Sequence, residues 1–222
     1  MSIIRDPKLD RLLAALHAKS DAQLAALNDF AVRRASMSED EIRQFRSDKF
    51  VALDRDKAEF CYQLCRAIGA RRVVEIGTSY GVSTLYLAAA VRDNIGQRGG
   101  QGVVIGTEYE PNKAAAACAT FEEAGLAGYI DLREGDLRRT LRTIEGPIDF
   151  VLMDIWVGMA RPALELVAPH LRQGGVIIAD NTQSYRSDYA DYFAFLNDPA
   201  NGFRTMTLPF EGGLEFSVRQ AA

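Results

Sequence analysis

The hydrophobic positions of this 222-residue chain change their period near residue 72. Before that point apolar residues recur every three or four positions, as in Leu9, Leu13 and Leu16, which is the spacing of one helix face. After it, short runs rich in β-branched residues alternate with segments of helix length. The chain is therefore predicted to begin with helices over residues 7–68 and to continue as an alternating α/β unit.

Five apolar runs are predicted to be strands of a parallel sheet. They are RVVEIG, GVVIGTEY, YIDLREG, IDFVLMD and GGVIIADN. The helices between and after them are predicted to begin near Val82, Asn112, Leu137, Ala160 and Ser187. This alternation implies right-handed crossovers and a doubly wound sheet.

The end of the chain departs from the alternation, because FRTMTLPF and LEFSVR flank the glycine turn EGG. This pattern is typical of an antiparallel hairpin. The predicted fold is α/β: a Rossmann-like, doubly wound, mostly parallel seven-stranded sheet with a C-terminal antiparallel hairpin. Residues 1–47 are predicted to be an N-terminal helical extension and residues 48–222 the main domain. Glycines and polar residues in 92–102 predict a surface loop.

Composition and charge argue against several classes of protein. The chain is 48% hydrophobic and 25% charged, as in ordinary globular proteins, and it has no apolar run of the about 20 residues that span a bilayer. A formal net charge of -4 makes nucleic acid an unlikely partner. Cys61 and Cys65 lie four positions apart on a predicted helix, which indicates a reducing, cytoplasmic location and not a disulfide framework.

The first strand is followed by a loop with two glycines, EIGTSYGVS. In open α/β sheets ligands bind beyond the carboxyl ends of the strands, and a glycine such as Gly77 allows close approach of the backbone. The loop lacks the G-x-G-x-x-G spacing of nicotinamide-binding proteins, and a tight turn without a ligand would give the same pattern. Glu108, at the end of the second strand, could accept both hydroxyls of a ribose. Loop and acid together predict a ligand that contains a nucleoside.

Asp136 follows the third strand in the segment REGDL. Its carboxylate could accept a hydrogen bond from an adenine amino group. The same residue type is common at a helix N-cap, and both interpretations fit the sequence.

Three oxygen-bearing side chains follow the fourth and fifth strands. Asp154 ends the fourth strand, and Asp180 and Asn181 end the fifth. Adjacent strands would bring these side chains into one crevice, where they suit Mg²⁺, or Mn²⁺ or Ca²⁺. The alternative is that Asp180 and Asn181 only cap a turn.

Five segments together resemble the class I S-adenosylmethionine-dependent O-methyltransferases, in their metal-dependent, catechol O-methyltransferase-like branch. They are VVEIGTSYGVSTLYLA, GTEYEPNKAAAA, REGDL, IDFVLMDIW and GGVIIADN, in the family's order, within residues 48–219. The resemblance implies that S-adenosylmethionine is bound by Leu53, Glu75, Gly77, Ser79, Ser83, Glu108, Tyr109, Asp136, Leu137 and Trp156. Gly77 and Ser83 would hold its methionine end, and Glu108 its ribose. The resemblance also makes Asp154, Asp180 and Asn181 the metal ligands, with Asp154 taking part in metal-assisted catalysis.

One position departs from the family. The mammalian catechol enzyme has a lysine base three residues after its first metal aspartate, and this chain has Val157 there. General base catalysis contributes about 10²- to 10⁴-fold to a rate. Val157 therefore predicts an acceptor that is more acidic than a simple catechol, or one with an apolar group beside the reacting oxygen.

The predicted function is metal-dependent methyl transfer from S-adenosylmethionine to a hydroxyl of a small molecule with vicinal oxygens. The protein is expected to be a homodimer, with the helices before residue 50 covering the acceptor or joining two subunits. Two alternatives stay open at this point. One is methylation of a hydroxyl on a tRNA base, and the other is a methyltransferase-like protein that binds the cofactor without turnover.

Overall fold

Seven strands form one sheet in the computed structural model, which describes residues 3–33 and 36–220. The strands are β1 (Arg72–Ile76), β2 (Val103–Glu108), β3 (Ile130–Glu134), β4 (Ile148–Met153), β5 (Leu171–Asp180), β6 (Phe203–Leu208) and β7 (Leu214–Arg219). Their order is β3-β2-β1-β4-β5-β7-β6. Strands β1 to β5 are parallel, and β7 lies antiparallel to both β5 and β6. The predicted doubly wound sheet with a C-terminal hairpin is confirmed.

Four helices precede the sheet and five follow its first strand in the described part of the chain. They are α1 (Pro7–Asp21), α2 (Leu24–Arg33), α3 (Glu39–Asp48), α4 (Arg55–Ile68), α5 (Val82–Arg98), α6 (Pro111–Glu123), α7 (Leu137–Thr140), α8 (Val157–Val167) and α9 (Ala190–Asn197). None of these helices is long and apolar enough to cross a membrane. Residues 1, 2, 34, 35, 221 and 222 lie outside the described residues, and the domain boundary after residue 47 stays a prediction.

The sheet buries a different set of side chains on each face because neighbouring strand residues point in opposite directions. Val73, Phe150 and Ile178 lie in the core on one face, together with side chains from α1, α4, α5 and α6. Val74 and Val151 lie in the core on the other face, with side chains from α7, α8 and α9. The N-terminal helix α1 therefore belongs to the main core, through Leu9 and Leu13 on its buried side.

The predicted loop over residues 92–102 is wrong in its first part, because α5 continues to Arg98. Asn94 is buried there, and its amide donates to the carbonyl oxygens of Cys65 (3.0 Å) and Ala70 (2.8 Å) at the end of α4. Ile95 packs against the core one residue later. These tertiary contacts hold the helix through a polar, glycine-containing segment that has a weak helical preference of its own.

Three predicted boundaries shift by three residues. Helix α8 begins at Val157 and not at Ala160, directly after Trp156 at its N-cap. Helix α9 begins at Ala190 and not at Ser187, because the chain first makes successive turns, with Tyr185 bonded to Asn181 and Tyr189 bonded to Tyr185. Strand β5 begins at Leu171, before its predicted GGVIIADN segment, and its pairing with β4 shifts register near its start.

Asp149 joins the amino ends of three parallel strands. One carboxylate oxygen accepts the backbone N–H groups of Arg71 (2.8 Å) and Arg72 (2.9 Å), and the other accepts Nε of Arg172 at 2.6 Å. The carboxylate thus fixes the start of β1 and of β5 to β4, at the edge of the sheet opposite to its carboxyl ends.

Replacing Asp149 by Ala is expected to lower the free energy of unfolding by about 2 to 3 kcal/mol, because two backbone donors and a guanidinium lose their acceptor. Urea denaturation measures this change. Asp149→Asn keeps an acceptor oxygen and should lose less, and Asp188→Ala, at an exposed position, is the control. Equal stability of the Asp149→Ala and wild-type proteins would contradict this role.

Candidate active site

The carboxyl ends of four neighbouring strands meet at one edge of the sheet. Ile76 of β1 pairs with Thr107 of β2 and with Met153 of β4, and Met153 pairs with Ala179 of β5. The residues that follow these positions therefore lie side by side at this edge: Gly77, Glu108, Asp154 and Asp180. The structure brings together the strand-end residues that the sequence predicted for cofactor and metal.

Gly77 allows the loop after β1 to pass close to the residue that ends β4. It has φ of 96°, and a Cβ at this position would lie 2.0 Å from the carbonyl oxygen of Asp154. A side chain is therefore excluded both by backbone conformation and by space. Two residues later Ser79 also has positive φ, 50°. The loop consequently has a defined path between β1 and α5.

Glu75 lies in β1, and its side chain is bonded to the loop and to the start of α5. Its carboxylate accepts the hydroxyls of Thr78 (2.9 Å) and Ser83 (2.6 Å), and also that of Thr84. Burial raises the pKa of Glu75 to about 7, although these hydroxyls oppose the shift. Since both oxygens are bonded to Thr78 in the loop or to Ser83 and Thr84 at the start of α5, Glu75 ties the loop to this helix. The predicted contact of Glu75 and Ser83 with the cofactor stays a prediction.

Glu108 ends β2 with its carboxylate held in place by backbone amides. Its Oε2 accepts the N–H of Ser79 at 2.7 Å, and its Oε1 accepts the N–H of Glu110 at 2.8 Å. The side chain is buried next to the glycine loop. Each oxygen keeps a further lone pair, so the carboxylate can still accept two hydroxyls of a ribose.

The residues predicted to surround an adenine lie at the outer part of this edge. Tyr109 and Trp156 are 68% and 53% exposed, whereas Leu137 is buried. Asp136 is the N-cap of α7 and forms an ion pair with Arg138, which lowers the pKa of Asp136 to about 2. The helix-cap interpretation of Asp136 is confirmed. Asp136 also lines a cavity of about 310 Å³ with Glu134, Gly135, Arg139 and Thr140.

Asp154, Asp180 and Asn181 lie together at the ends of β4 and β5. Asp154 is fixed by its backbone N–H, which donates to Ile76 O at 3.0 Å. Asp180 is 5% exposed. Asn181 has a left-handed backbone, with φ of 58°, and its side-chain amide lies 2.9 Å from Asp180 Oδ2. Three oxygen-bearing side chains therefore face one small region.

Negative charge accumulates in this region. Burial, together with the nearby carboxylates of Asp180 and Glu75, raises the pKa of Asp154 to about 8. Burial also raises the pKa of Asp180, although Lys57 acts in the opposite direction. A site that disfavours its own ionised carboxylates stabilises an added cation.

The side chains present fit a divalent cation with oxygen ligands. Asp180 Oδ1 is buried and lies 2.8 Å from the ammonium of Lys57, and a carboxylate oxygen has a second lone pair that a cation could use. Two carboxylates and an amide are hard oxygen ligands of the kind that Mg²⁺ prefers. In residues 3–33 and 36–220, no three His, Cys, Asp or Glu side chains converge on one metal position. The candidate set therefore depends on Asn181 as its third member.

Lys57 is a member of this region that the sequence prediction did not include. It is 1% exposed, and its Nζ lies 2.6 Å from Asp54 Oδ2 and 2.8 Å from Asp180 Oδ1. Burial disfavours the ammonium, but the two carboxylates outweigh it and raise the pKa of Lys57. The sequence does contain a clue: Lys57, Cys61 and Cys65 recur every four residues, which places a lysine on the buried face of α4.

The region around the three metal-ligand candidates is closed by several elements. Leu53 is buried and lines a cavity of about 290 Å³ between α1, α2 and residues 51–55. The turn between β6 and β7 reaches the same region, where Phe210 packs on Phe60 of α4 and Gly212 accepts from the backbone of Gln183.

Val157, which stands where the mammalian catechol enzyme has its lysine, is the first residue of α8 and packs partly against the core. Tyr189 is buried, and its hydroxyl donates to the carbonyl oxygen of Asp180 at 3.2 Å. Burial raises the pKa of this hydroxyl well above its ordinary value. Tyr189 is therefore a support for the turn after β5 and a poor base.

Comparisons with known proteins agree with this geometry. The profile of a family described as a methyltransferase domain matches residues 74–182. A catechol O-methyltransferase of Mycobacterium tuberculosis is 34% identical over 132 residues, which are 59% of this chain and 57% of that enzyme. A catechol O-methyltransferase of Niastella koreensis is 26% identical over 179 residues, 74% of this chain and 72% of the relative. The alignment thus spans little more than half of the Mycobacterium enzyme.

Solved structures extend the similarity over nearly the whole chain. Cofactor-bound Rv0187 from MTB has a TM-score of 0.71 and 25% identity, and the alignment covers 99% of this chain and 94% of that one. An O-methyltransferase from Bacillus cereus in complex with SAH has a TM-score of 0.70 and 20% identity, over 98% of this chain and 93% of that one. In sequence over part of its length, and in fold over nearly all of it, the chain is therefore similar to S-adenosylmethionine-dependent O-methyltransferases.

Proposed function

We propose that the protein transfers a methyl group from S-adenosylmethionine to a hydroxyl of a small molecule with vicinal oxygens, such as a catechol, with the help of a divalent cation. The observation that carries the proposal is the position of Asp154, Asp180 and Asn181 next to the glycine loop and Glu108. This arrangement supports an oxygen-rich cation site beside a nucleoside site. The names of the catechol O-methyltransferase relatives support the same class of acceptor.

The loop after β1 and Glu108 would hold the methyl donor. Gly77 lets the backbone approach the ligand, and the loop above Glu75 is held in one conformation by three hydroxyls. The carboxylate of Glu108 is already oriented by two amides, so little ordering remains when a ribose binds. Tyr109 and Trp156 would cover the base, because both aromatic rings are exposed at this end.

Asp154, Asp180 and Asn181 would hold Mg²⁺, or Mn²⁺ or Ca²⁺. When bound, the cation lowers the pKa of a coordinated hydroxyl and orients it. The protein side chains fix the acceptor beside the donor loop, and proximity of this kind provides a large part of the acceleration in bimolecular transfers. Asp154 is proposed to act through this assistance and not as a free base.

Val157 restricts which acceptors could react. Without a lysine at this position, the reacting hydroxyl has to lose its proton to water or to arrive already ionised. The apolar side chain of Val157 is half-buried at the start of α8. We therefore propose an acceptor that is more acidic than catechol, or one that places an apolar group against Val157.

A cofactor-binding protein without turnover is the second candidate. Two observations favour it: the absence of the lysine base, and the contact of Lys57 with one of the predicted metal ligands.

A homodimer and a cytoplasmic location are also part of the proposal. The exposed apolar side chains of Leu24 and Val32 on α2 support a subunit contact, and the free thiols of Cys61 and Cys65 support a reducing compartment.

Replacing Glu108 by Ala should weaken binding of S-adenosylmethionine by about 10- to 100-fold, since two hydrogen bonds to a charged acceptor are lost. Isothermal titration calorimetry measures the affinity. Glu122→Ala, on the exposed side of α6, is the matched control. Unchanged affinity of the Glu108→Ala protein would remove Glu108 from the donor site.

Methyl transfer from labelled S-adenosylmethionine to a panel of catechols should disappear with chelator and return with Mg²⁺. Asp180→Asn should lower the rate by at least about 100-fold, because the cation loses a charged ligand. Asp188→Asn is the control at an exposed carboxylate of the same segment. Methyl transfer that persists in chelator would contradict the proposed metal dependence. Binding of the donor without transfer to any acceptor would favour the second candidate.

Replacing Val157 by Lys should raise the rate with catechol by about 10-fold or more, because a base becomes available near the reacting oxygen. The rate with nitrocatechol should change little, since its hydroxyl is already ionised at neutral pH. Val157→Met controls for side-chain length. An equal increase in rate with both acceptors would contradict the idea that Val157 slows the reaction by leaving the hydroxyl without a base.

A further inference from the structure

Lys57 is buried in a position that an apolar side chain could fill. It belongs to the buried face of α4, together with Cys61 and Cys65. Burial of an ammonium costs several kcal/mol unless it is paired, and apolar residues of similar size often replace buried ion pairs without loss of stability. Packing alone therefore does not explain a charge at this position.

The charge is explained by the carboxylates around it. The ammonium contacts Asp180, which is 6% exposed at its side chain, and Asp54, which is 54% exposed at its side chain. Asp154 lies beside Asp180 at the adjacent strand end. The ammonium thus pairs with two carboxylates, one at the proposed cation site and one at the wall of the cavity next to α1 and α2.

We propose that Lys57 is the resident counter-ion of the cation site and sets its affinity for divalent metal. This inference rests on the proposed function. The ammonium lies 2.8 Å from Asp180 Oδ1, so Lys57 and a metal ion would compete for the same carboxylate. Asp54 is a second carboxylate on which the ammonium stays paired when Asp180 is used by a metal.

The proposed competition predicts the direction in which loss of the Lys57 charge changes metal affinity. A positive charge a few ångströms from a divalent cation weakens its binding, and removal of that charge strengthens it. Replacing Lys57 by Met should therefore tighten the binding of Mn²⁺ by about 10- to 100-fold. A lysine that only positioned Asp180 for the metal would have the opposite effect, since its loss would weaken binding.

The test is the affinity for Mn²⁺, measured by electron paramagnetic resonance of the free ion and by calorimetry, on the full chain without an acceptor. Lys57→Met is compared with Lys57→Arg, which keeps the charge, and with Lys8→Met, an exposed lysine that bonds to Glu123 O. Lys57→Gln serves if the Met variant does not fold. The melting temperature in chelator and with Mn²⁺ is a second readout, because loss of the counter-ion should destabilise the metal-free protein and enlarge the stabilisation by Mn²⁺.

Tighter binding in Lys57→Met with wild-type affinity in Lys57→Arg supports the inference. Equal or weaker binding in Lys57→Met overturns it and leaves the proposed function intact. Binding by Lys57→Met but not by the wild-type protein supports Lys57 as the resident cation and overturns the metal dependence in the proposed function. No binding by either protein overturns both.

Discussion

The active-site edge depends on the burial of carboxylates at the ends of parallel strands. Glu75, Glu108 and Asp180 are all buried there, and Asp154 lies among them. Buried carboxylates need donors or cations, and each of these is compensated differently. The carboxylate of Glu75 accepts hydrogen bonds from three hydroxyls, and that of Glu108 accepts them from two backbone amides. The carboxylate of Asp180 is paired with the ammonium of Lys57. The glycine loop, the turn after β5 and helix α4 are all fixed in place by this compensation.

The partners of these carboxylates distinguish residues that support the site from residues that are suited to bind a cation. Glu75 has its oxygens occupied by the loop after β1 and the start of α5, and so shapes the proposed donor site from its own strand. Asp154 and Asp180 have too few donors for their charge, which leaves them suited to an added cation. Lys57 supplies part of that charge from α4 and connects the cation site with Asp54 and the cavity beside α1 and α2. In this view metal affinity and the packing of the N-terminal helices are linked.

The sheet could be predicted from the sequence because its central strands are short, continuous apolar runs that few other elements produce. The strand-end residues followed directly, since parallel strands bring Glu108, Asp154 and Asp180 to one edge. Lys57 could not be placed in the same way, because its contact with Asp180 crosses 123 positions of the chain and depends on how α4 packs. Likewise, the helical course of residues 92–98 depends on Asn94 binding to carbonyl groups at the end of α4, which local preference does not contain.

We propose that Asp154, Asp180 and Asn181 together hold a divalent cation beside the donor site. The most direct measurement is a crystal structure grown with S-adenosylhomocysteine and Mn²⁺, with anomalous data collected at the manganese edge. If the cation binds as proposed, we expect one strong anomalous peak within coordination distance of oxygens from all three side chains, about 2.0 to 2.6 Å. A fully ordered site with Lys57 still against Asp180 and no manganese peak would contradict it.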